Sequence, residues 1–275
     1  MKFVDLHLHT DFSDSILSAA ELVKLAAASG LSAIAITDHD CLEGIEPTKK
    51  EAEKFNLEVI PGVELTAEMD GKEVHILGYY INHRDAKLIE RLEKMKKIRE
   101  ERIFEMVEKL KEQGVDNIDP QEVLNLSGMG TVGRAHLAVI LKQKGWVSSF
   151  SEAFQKYIGD NSPAYVGKFK MTPKEAIKTI LDSGGIPVLA HPHSLWENNL
   201  IPEFVKAGLE GLEVYYPGYS ESQIQHYKNL ADKFGLLVTG GSDYHGAIKQ
   251  GIVIGQPRVS YEVVEKLKQA KNEKR

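Results

Sequence analysis

Met1-Lys2-Phe3-Val4-Asp5-Leu6-His7-Leu8-His9-Thr10 is the stretch from which the rest of the chain is read. Its apolar, β-prone run predicts a strand, and His7 and His9 stand two residues apart at its end. Side chains two apart on a strand share one face, so both imidazoles can converge on one ion. Further candidates follow at Asp14, Thr37-Asp38-His39, Gly62-Val63-Glu64, His75, His191 and Gly241-Ser242-Asp243-Tyr244-His245, most of them just after other apolar stretches. Histidines and carboxylates gathered at strand ends form the donor set of a multinuclear metal site. They imply metal-assisted hydrolysis.

Outward from that strand, Ser18-Ala19-Ala20-Glu21 is a capping box that predicts a helix ending at Gly30. Leu31 to Thr37 predicts a buried strand, Lys49 to Phe55 a helix, Glu58-Val59-Ile60 a strand, and Val74 to Tyr80 another. Such alternation points to βα units around a parallel sheet. The rhythm breaks at Asn82. Asp85 to Gln113 reads as one long charged helix, followed by helical pieces near Gln121–Leu126, Gly133–Lys144 and Ser151–Tyr157. Thr172-Pro173-Lys174-Glu175, a second capping box with Pro at the first helical position, restarts the pattern. Strands at Ile186–Ala190, Gly211–Tyr215 and Leu236–Thr239 and a last helix after Ser260 complete it. The expected organisation is a barrel in two parts, 1–81 and 171–275, around an all-helical insertion at 82–170 that caps the substrate site.

The 275 residues are 42% hydrophobic and 27% charged, enough for one large core or a core with a subdomain. A net charge of −6 provides no global field for nucleic acid, which argues against duplex DNA and leaves phosphate binding to local groups. No signal-peptide pattern or membrane-length apolar run is present, and Cys41 is the only cysteine, so the expectation is a cytoplasmic protein without a membrane partner. Cys41, two residues after His39, is a minor candidate for a soft ligand.

Parallel βα units with polar residues at strand C-termini build their site on one face, as in (β/α) barrels. His7, His9, Asp14, His39, Glu64, His75, His191, Asp243 and His245 supply nine donors, more than one ion accommodates, and suit two or three ions. The ordered motifs His7-Leu8-His9-Thr10 with Ser13-Asp14, Thr37-Asp38-His39, Gly62-Val63-Glu64, His75, Ala190-His191-Pro192 and Gly241 to His245 resemble the polymerase and histidinol phosphatase (PHP) superfamily of phosphoesterases along the whole chain. The resemblance implies a distorted seven-stranded (β/α) barrel with a trinuclear site. It implies His7, His9, Glu64 and Asp243 on one ion, Asp14, His39 and His245 on a second, and His75, His191 and a bridging Glu64 on a third. Manganese is the ion the resemblance implies first, with zinc or iron as alternatives.

Thr131-Val132-Gly133-Arg134-Ala135-His136 lies in the insertion, where Gly133 and Arg134 at a helix start could face a phosphate. This motif, with Asn161-Ser162-Pro163-Ala164-Tyr165-Val166-Gly167-Lys168, is similar to the small bacterial branch that dephosphorylates nucleotides, although Ala135 replaces a common proline. That similarity implies that Arg134 and His136 contact the substrate phosphate under a closing insertion. It also implies phosphomonoesters of nucleotides as substrates, above all the 3′-phosphate of nucleoside 3′,5′-bisphosphates, or short 5′-phosphorylated RNA. Arg99 and Arg102, and likewise Lys168 and Lys170, read either as solvated charges or as contacts to a second phosphate. His193 or a metal-bound water are candidates to protonate the leaving group. Histidinol phosphate is the alternative substrate on the same core, and amidohydrolase-type C–N hydrolysis the alternative chemistry.

Overall fold

The opening run forms strand β1 (Phe3–Leu8), and seven more strands follow: β2 (Leu31–Ile36), β3 (Glu58–Met69), β4 (Lys72–Tyr79), β5 (Ile186–Leu189), β6 (Gly211–Tyr215), β7 (Leu237–Gly240) and β8 (Val259–Ser260). The computed structural model describes residues 2–128, 130–160, 162–167, 171–195, 200–246, 248 and 251–273. The strands make one sheet in the order β7-β6-β5-β4-β3-β2-β1-β8. β1, β2 and β3 run parallel, as do β5, β6 and β7. The sheet curls until its ends nearly meet. Leu8 bridges Tyr244, and the Tyr244 carbonyl accepts from the His9 N–H at 3.2 Å. Gly241 permits this seam, because a Cβ there would sit 2.4 Å from the His7 nitrogen. The result is the expected seven-stranded distorted barrel, with the short β8 added antiparallel outside β1.

One expectation is corrected. β4 is antiparallel to both β3 and β5, so the barrel is not built of parallel units throughout. Asp70 and Gly71, at φ 52° and 74°, make the two-residue turn between β3 and β4. Positive φ at both central positions matches the right-handed twist of a hairpin. β4 therefore ends on the face opposite His9 and His39. The long helix that follows must carry the chain back.

Before it come α1 (Ala19–Ala28), whose Ser18–Glu21 capping box forms as read, and α2 (Ile45–Ala52). α3 (Ala86–Glu112) spans about 40 Å at 1.5 Å per residue. Its first turns place Leu88, Leu92 and Met95 in the core that covers the barrel. Its last turns place Ile103, Met106, Val107 and Leu110 in a separate core. That second core is completed by α4 (Pro120–Leu126), α5 (Arg134–Gln143), α6 (Phe150–Ala153) and a π-helical turn (Phe154–Ile158). Between β4 and α7 (Pro173–Asp182) the described residues contain no strand. The Thr172 capping box restarts the barrel at α7 as read. α8 (Ile201–Lys206), α9 (Glu221–Phe234) and α10 (Glu262–Glu273) cover its remaining flank. Among the described residues no helix is long and apolar enough to cross a membrane.

Candidate metal centre

β1 delivers His7 and His9 from one face of a strand, and the loop after it returns Asp14. β2 ends beside the middle of β3, with His39 bridged to Glu64, whose N–H donates to the Asp38 carbonyl at 3.1 Å. β4 contributes His75, opposite Thr66 of β3. His191 follows β5, and Asp243 and His245 follow β7. Both His191 (φ 26°) and Asp243 (φ 51°) sit in the left-handed region, which costs about 1–3 kcal/mol per non-glycine residue. The surroundings hold them there.

Glu64 is the hub. Its Oε2 lies 3.1 Å from His7 Nε2, 3.2 Å from His9 Nε2 and 3.3 Å from His39 Nδ1. Its Oε1 lies 3.0 Å from His75 Nδ1 and 3.2 Å from His191 Nε2. Asp243 Oδ1 lies 3.4 Å from His7 and 3.2 Å from His9, and Asp14 Oδ1 lies 3.1 Å from His245 Nε2. Donor atoms fall within 4.8 Å of one another in three groups: His7, His9, Glu64 and Asp243; His9, Asp14, His39 and His245; and His39, Glu64 and His75. The first is the grouping expected from the sequence. The second gains His9. In the third, His39 stands where His191 was expected, while His191 shares Glu64 Oε1 with His75.

These residues fit divalent ions. Buried Nε2 of His9, Oδ1 of Asp14, Nδ1 of His39 and Nδ1 of His75 make no aligned hydrogen bond, although carboxylate oxygens face the imidazoles, and imidazole nitrogens face Asp14, at 3.0–3.6 Å. Lone pairs aimed at common points produce that geometry. Imidazoles and carboxylates suit manganese, zinc or iron. Cys41 stays outside the groups, its buried thiol donating to Glu43.

Charge in the cluster is balanced internally. Burial opposes protonation of His7, but Glu213, Glu64 and Asp243 outweigh it and push the imidazole well above its ordinary range. His9 rises to about 9 and His75 to about 10, burial again being overcome by carboxylates. Burial instead prevails at His39, helped by His9 and His75, and lowers it well below the usual value. Burial would raise Glu64 and Asp14, yet the surrounding imidazoles hold both well below the carboxylate range.

Several supporting residues were not singled out in the sequence. Glu213, fully buried on β6, lies 2.9 Å from His7 Nδ1 and accepts from the His191 N–H at 2.7 Å. The Tyr216 hydroxyl donates to Asp243 Oδ2 at 2.7 Å, leaving Oδ1 toward the histidines. Asp5 accepts from the Ser242 and Gly255 N–H groups and supports the seam. Glu73 sits 3.6 Å from His75 Nε2 and pairs with Arg102 at 2.7 Å and Arg134 at 2.9 Å.

A cavity of about 660 Å³ opens over the cluster, lined by Asp14, His39, His75 and His245 on one side and by insertion residues on the other. Arg134 lines it, held by Glu73, by Asp160 at 2.6 Å and between the Phe154 and Tyr165 rings. Arg99 and Arg102 also line it. Arg99 is buried in a two-pronged pair with Asp40 and donates to Thr66 Oγ1 and the Val132 carbonyl. Arg102 donates to the Val166 carbonyl. His136 is buried, and its Nδ1 accepts from the Gly133 N–H to cap α5. His193 is exposed and is not among the residues that line the cavity; its ring centroid lies 6.1 Å from that of His191, and its Nδ1 lies 2.8 Å from the Tyr219 hydroxyl. Lys168 and Lys170, with Asn161, lie outside the described residues.

A model of the PHP domain matches residues 5–162. The chain is 35% identical over 250 residues to a 5′-3′ exoribonuclease of Haemophilus influenzae, spanning 89% of this chain and 90% of that protein. It is 30% identical over 261 residues to a 3′,5′-nucleoside bisphosphate phosphatase of Chromobacterium violaceum, spanning 93% and 91%. A Bifidobacterium adolescentis structure assigned as a metal-dependent phosphoesterase superposes with a TM-score of 0.88 at 29% identity, over 96% of this chain and 94% of that one.

Proposed function

The chain belongs to the PHP domain family and is a metal-dependent phosphoester hydrolase, and from that premise we propose that it acts in the cytoplasm on phosphomonoesters of nucleotides, above all the 3′-phosphate of nucleoside 3′,5′-bisphosphates. The observation that carries this reading is the cavity in which Asp14, His39, His75 and His245, drawn from two of the three metal-ligand groups, face Arg134. Short 5′-phosphorylated RNA is a second substrate, favoured by the 35% identity to an exoribonuclease along most of both chains.

His7, His9, Glu64 and Asp243 would hold one ion, Asp14, His39 and His245 a second, and His75, His191 and Glu64 a third, with manganese the preferred metal. When bound, such ions lower the pKa of water toward about 7 and neutralise phosphoryl oxygens. The chain's own residues do the rest. Glu213 fixes the His7 ring so that Nε2 points at Glu64, and Tyr216 orients Asp243 in the same manner. Arg134, steadied by Glu73 and Asp160, presents its guanidinium to the transferring phosphate and stabilises the charge that develops there. Arg102 supports Arg134 through their common partner Glu73. Arg99 lines the cavity and shapes it through Asp40, while His136 acts behind that surface through the α5 cap. His193, next to His191, is the side chain proposed to protonate the leaving alkoxide, with Nε2 carrying the proton while Tyr219 holds Nδ1.

Phosphate release with manganese from adenosine 3′,5′-bisphosphate, AMP, a short 5′-phosphorylated RNA and histidinol phosphate tests the reading. The bisphosphate or the RNA should exceed histidinol phosphate in kcat/KM by about 10²-fold, the scale on which a site built for one substrate rejects another. Histidinol phosphate matching or exceeding both nucleotides would overturn it.

A further inference from the structure

The cavity over the histidine cluster has two chemically unlike sides. One carries imidazoles, carboxylates and guanidinium groups. The other is apolar: Phe150 on α6, Phe154 on the π-helical turn, Ala135 on α5, and Ile248 and Ile252 from the segment after β7. Phe150 and Phe154 are half-buried, backed by the insertion's core, and still line the cavity. The apolar wall is thus shared between insertion and barrel, with aromatic rings on one part and branched aliphatic groups on the other.

Size and polarity narrow the occupant. A volume of about 660 Å³ lies within the roughly 300–1,000 Å³ of sites that enclose a whole small ligand. A phosphate needs far less. The nearby hydroxyls accept within their own helical turns, Ser149 from the Glu152 N–H at 3.1 Å and Ser151 from the Gln155 amide at 3.2 Å. The carboxylates that line the cavity, Asp14 and Glu73, belong to its charged side, so the apolar wall offers a cationic tail no counter-ion.

We propose that this wall is a stacking site for the nucleobase of a substrate whose phosphate lies at the metal-ligand groups. The base is accepted chiefly as a flat apolar surface. This rests on the nucleotide reading above and extends it to specificity. All four bases are accepted, purines modestly ahead of pyrimidines, because stacking follows ring area and every base has a π-face. Phe154 has a second duty, since its ring lies 5.5 Å from the Arg134 guanidinium. Ile252 pairs with no such group in the site and gives the cleaner substitution.

Calorimetry on the manganese-loaded protein with phosphonate analogues of AMP, UMP and ribose 5-phosphate, whose P–C bonds resist hydrolysis, tests the proposal. The AMP analogue should bind about 10-fold or more tightly than the ribose analogue, with UMP between them. Phe154→Ala should weaken the AMP analogue about 10-fold and Ile252→Ala several-fold, with the ribose analogue within about twofold of its starting value in Ile252→Ala. Phe154→Leu, which keeps apolar bulk, replaces Phe154→Ala if the latter fails to fold. Equal binding of AMP and ribose analogues by the unmodified protein, or equal losses for both in Ile252→Ala, would overturn the stacking site. Phosphate release is a separate readout: nucleotides that turn over without base-dependent binding sink this proposal alone, and base-dependent binding without turnover sinks the assigned reaction alone.

Discussion

Glu213 is a carboxylate with no exposed surface, inside a strand of otherwise apolar and aromatic residues. A buried charge needs compensation, and the His7 imidazole and the His191 N–H provide it. Glu213→Gln keeps the shape and removes the charge. It should weaken manganese binding about 10–100-fold by calorimetry, with an unchanged circular dichroism spectrum; unchanged affinity would separate Glu213 from metal binding. Along Gly211-Leu212-Glu213-Val214-Tyr215 this residue reads as the solvent-facing member of an alternating strand. Only closure of the barrel puts that face inside. His7 and His9 are legible because strand-end position and metal-ligand chemistry coincide at them. Glu64 reads as a strand-end residue but lies inside β3, which runs on to Met69, and Glu213 and Tyr216 act through a partner. Arg134 is legible as a helix-start arginine, yet its clamp of Glu73, Asp160 and two rings arises only in three dimensions. Arg134→Ala should lower kcat/KM by about 10²–10³ while elemental analysis finds the metal content unchanged. Loss of metal would assign the effect to Glu73 and His75 instead.

α3 is the element that belongs to two cores. Its lower turns pack on the barrel, and its upper turns seed the insertion's own apolar cluster. Leu110 is fully buried in the upper cluster. Leu110→Ala should destabilise that cluster by about 2–5 kcal/mol. Hydrogen exchange should then show lost protection in α4, α5 and α6 while β1 to β3 keep theirs; uniform loss would mean that the two cores unfold as one. Sequence pattern found α3 almost to its ends, because Asp85 caps it and its apolar stripe is regular. It found the Ser18 and Thr172 capping boxes for the same local reason. The direction of β4 escaped it, although Asp70-Gly71 is a hairpin turn signal, because Glu68, Asp70, Lys72 and Glu73 dilute the strand pattern on both sides. The π-helical turn at Phe154–Ile158 has no comparable local signal. Its Ile158 is buried in the insertion's core, and Phe154 packs on that core and lines the cavity.

For the whole molecule, the cluster couples folding to pH and to metal. In metal-free protein, His7, His9 and His75 hold protons more tightly than the ordinary 6.5, His9 to about 9 and His75 to about 10. Their contribution to stability is fully present below about pH 6.5 and is lost as pH rises through about 9–10. Glu64 and Asp14 are held below their ordinary values of 4.5 and 3.8, so their contribution is present above those values and is lost on acidification. The Tm of chelator-treated protein should therefore fall toward both extremes, and manganese should raise it most at alkaline pH. Metal uptake at pH 7 should release protons, read as a buffer-dependent enthalpy. A Tm of the metal-free protein that rises between pH 7 and 10 would contradict the assignment. The hairpin of β3 and β4 has a further effect on how the gene could be cut. It sends the chain to the far end of the barrel before the insertion begins, whereas re-entry at Met171 is level with Glu68, whose N–H donates to its carbonyl at 2.8 Å. Met95 and Ile98 on α3 share a surface groove with Met171. A splice that leaves the barrel's core whole therefore lies near residue 98 rather than residue 82: excision at 82 would strip Leu88, Leu92 and Met95 from the barrel along with the cap, because the lower half of α3 packs as part of the barrel.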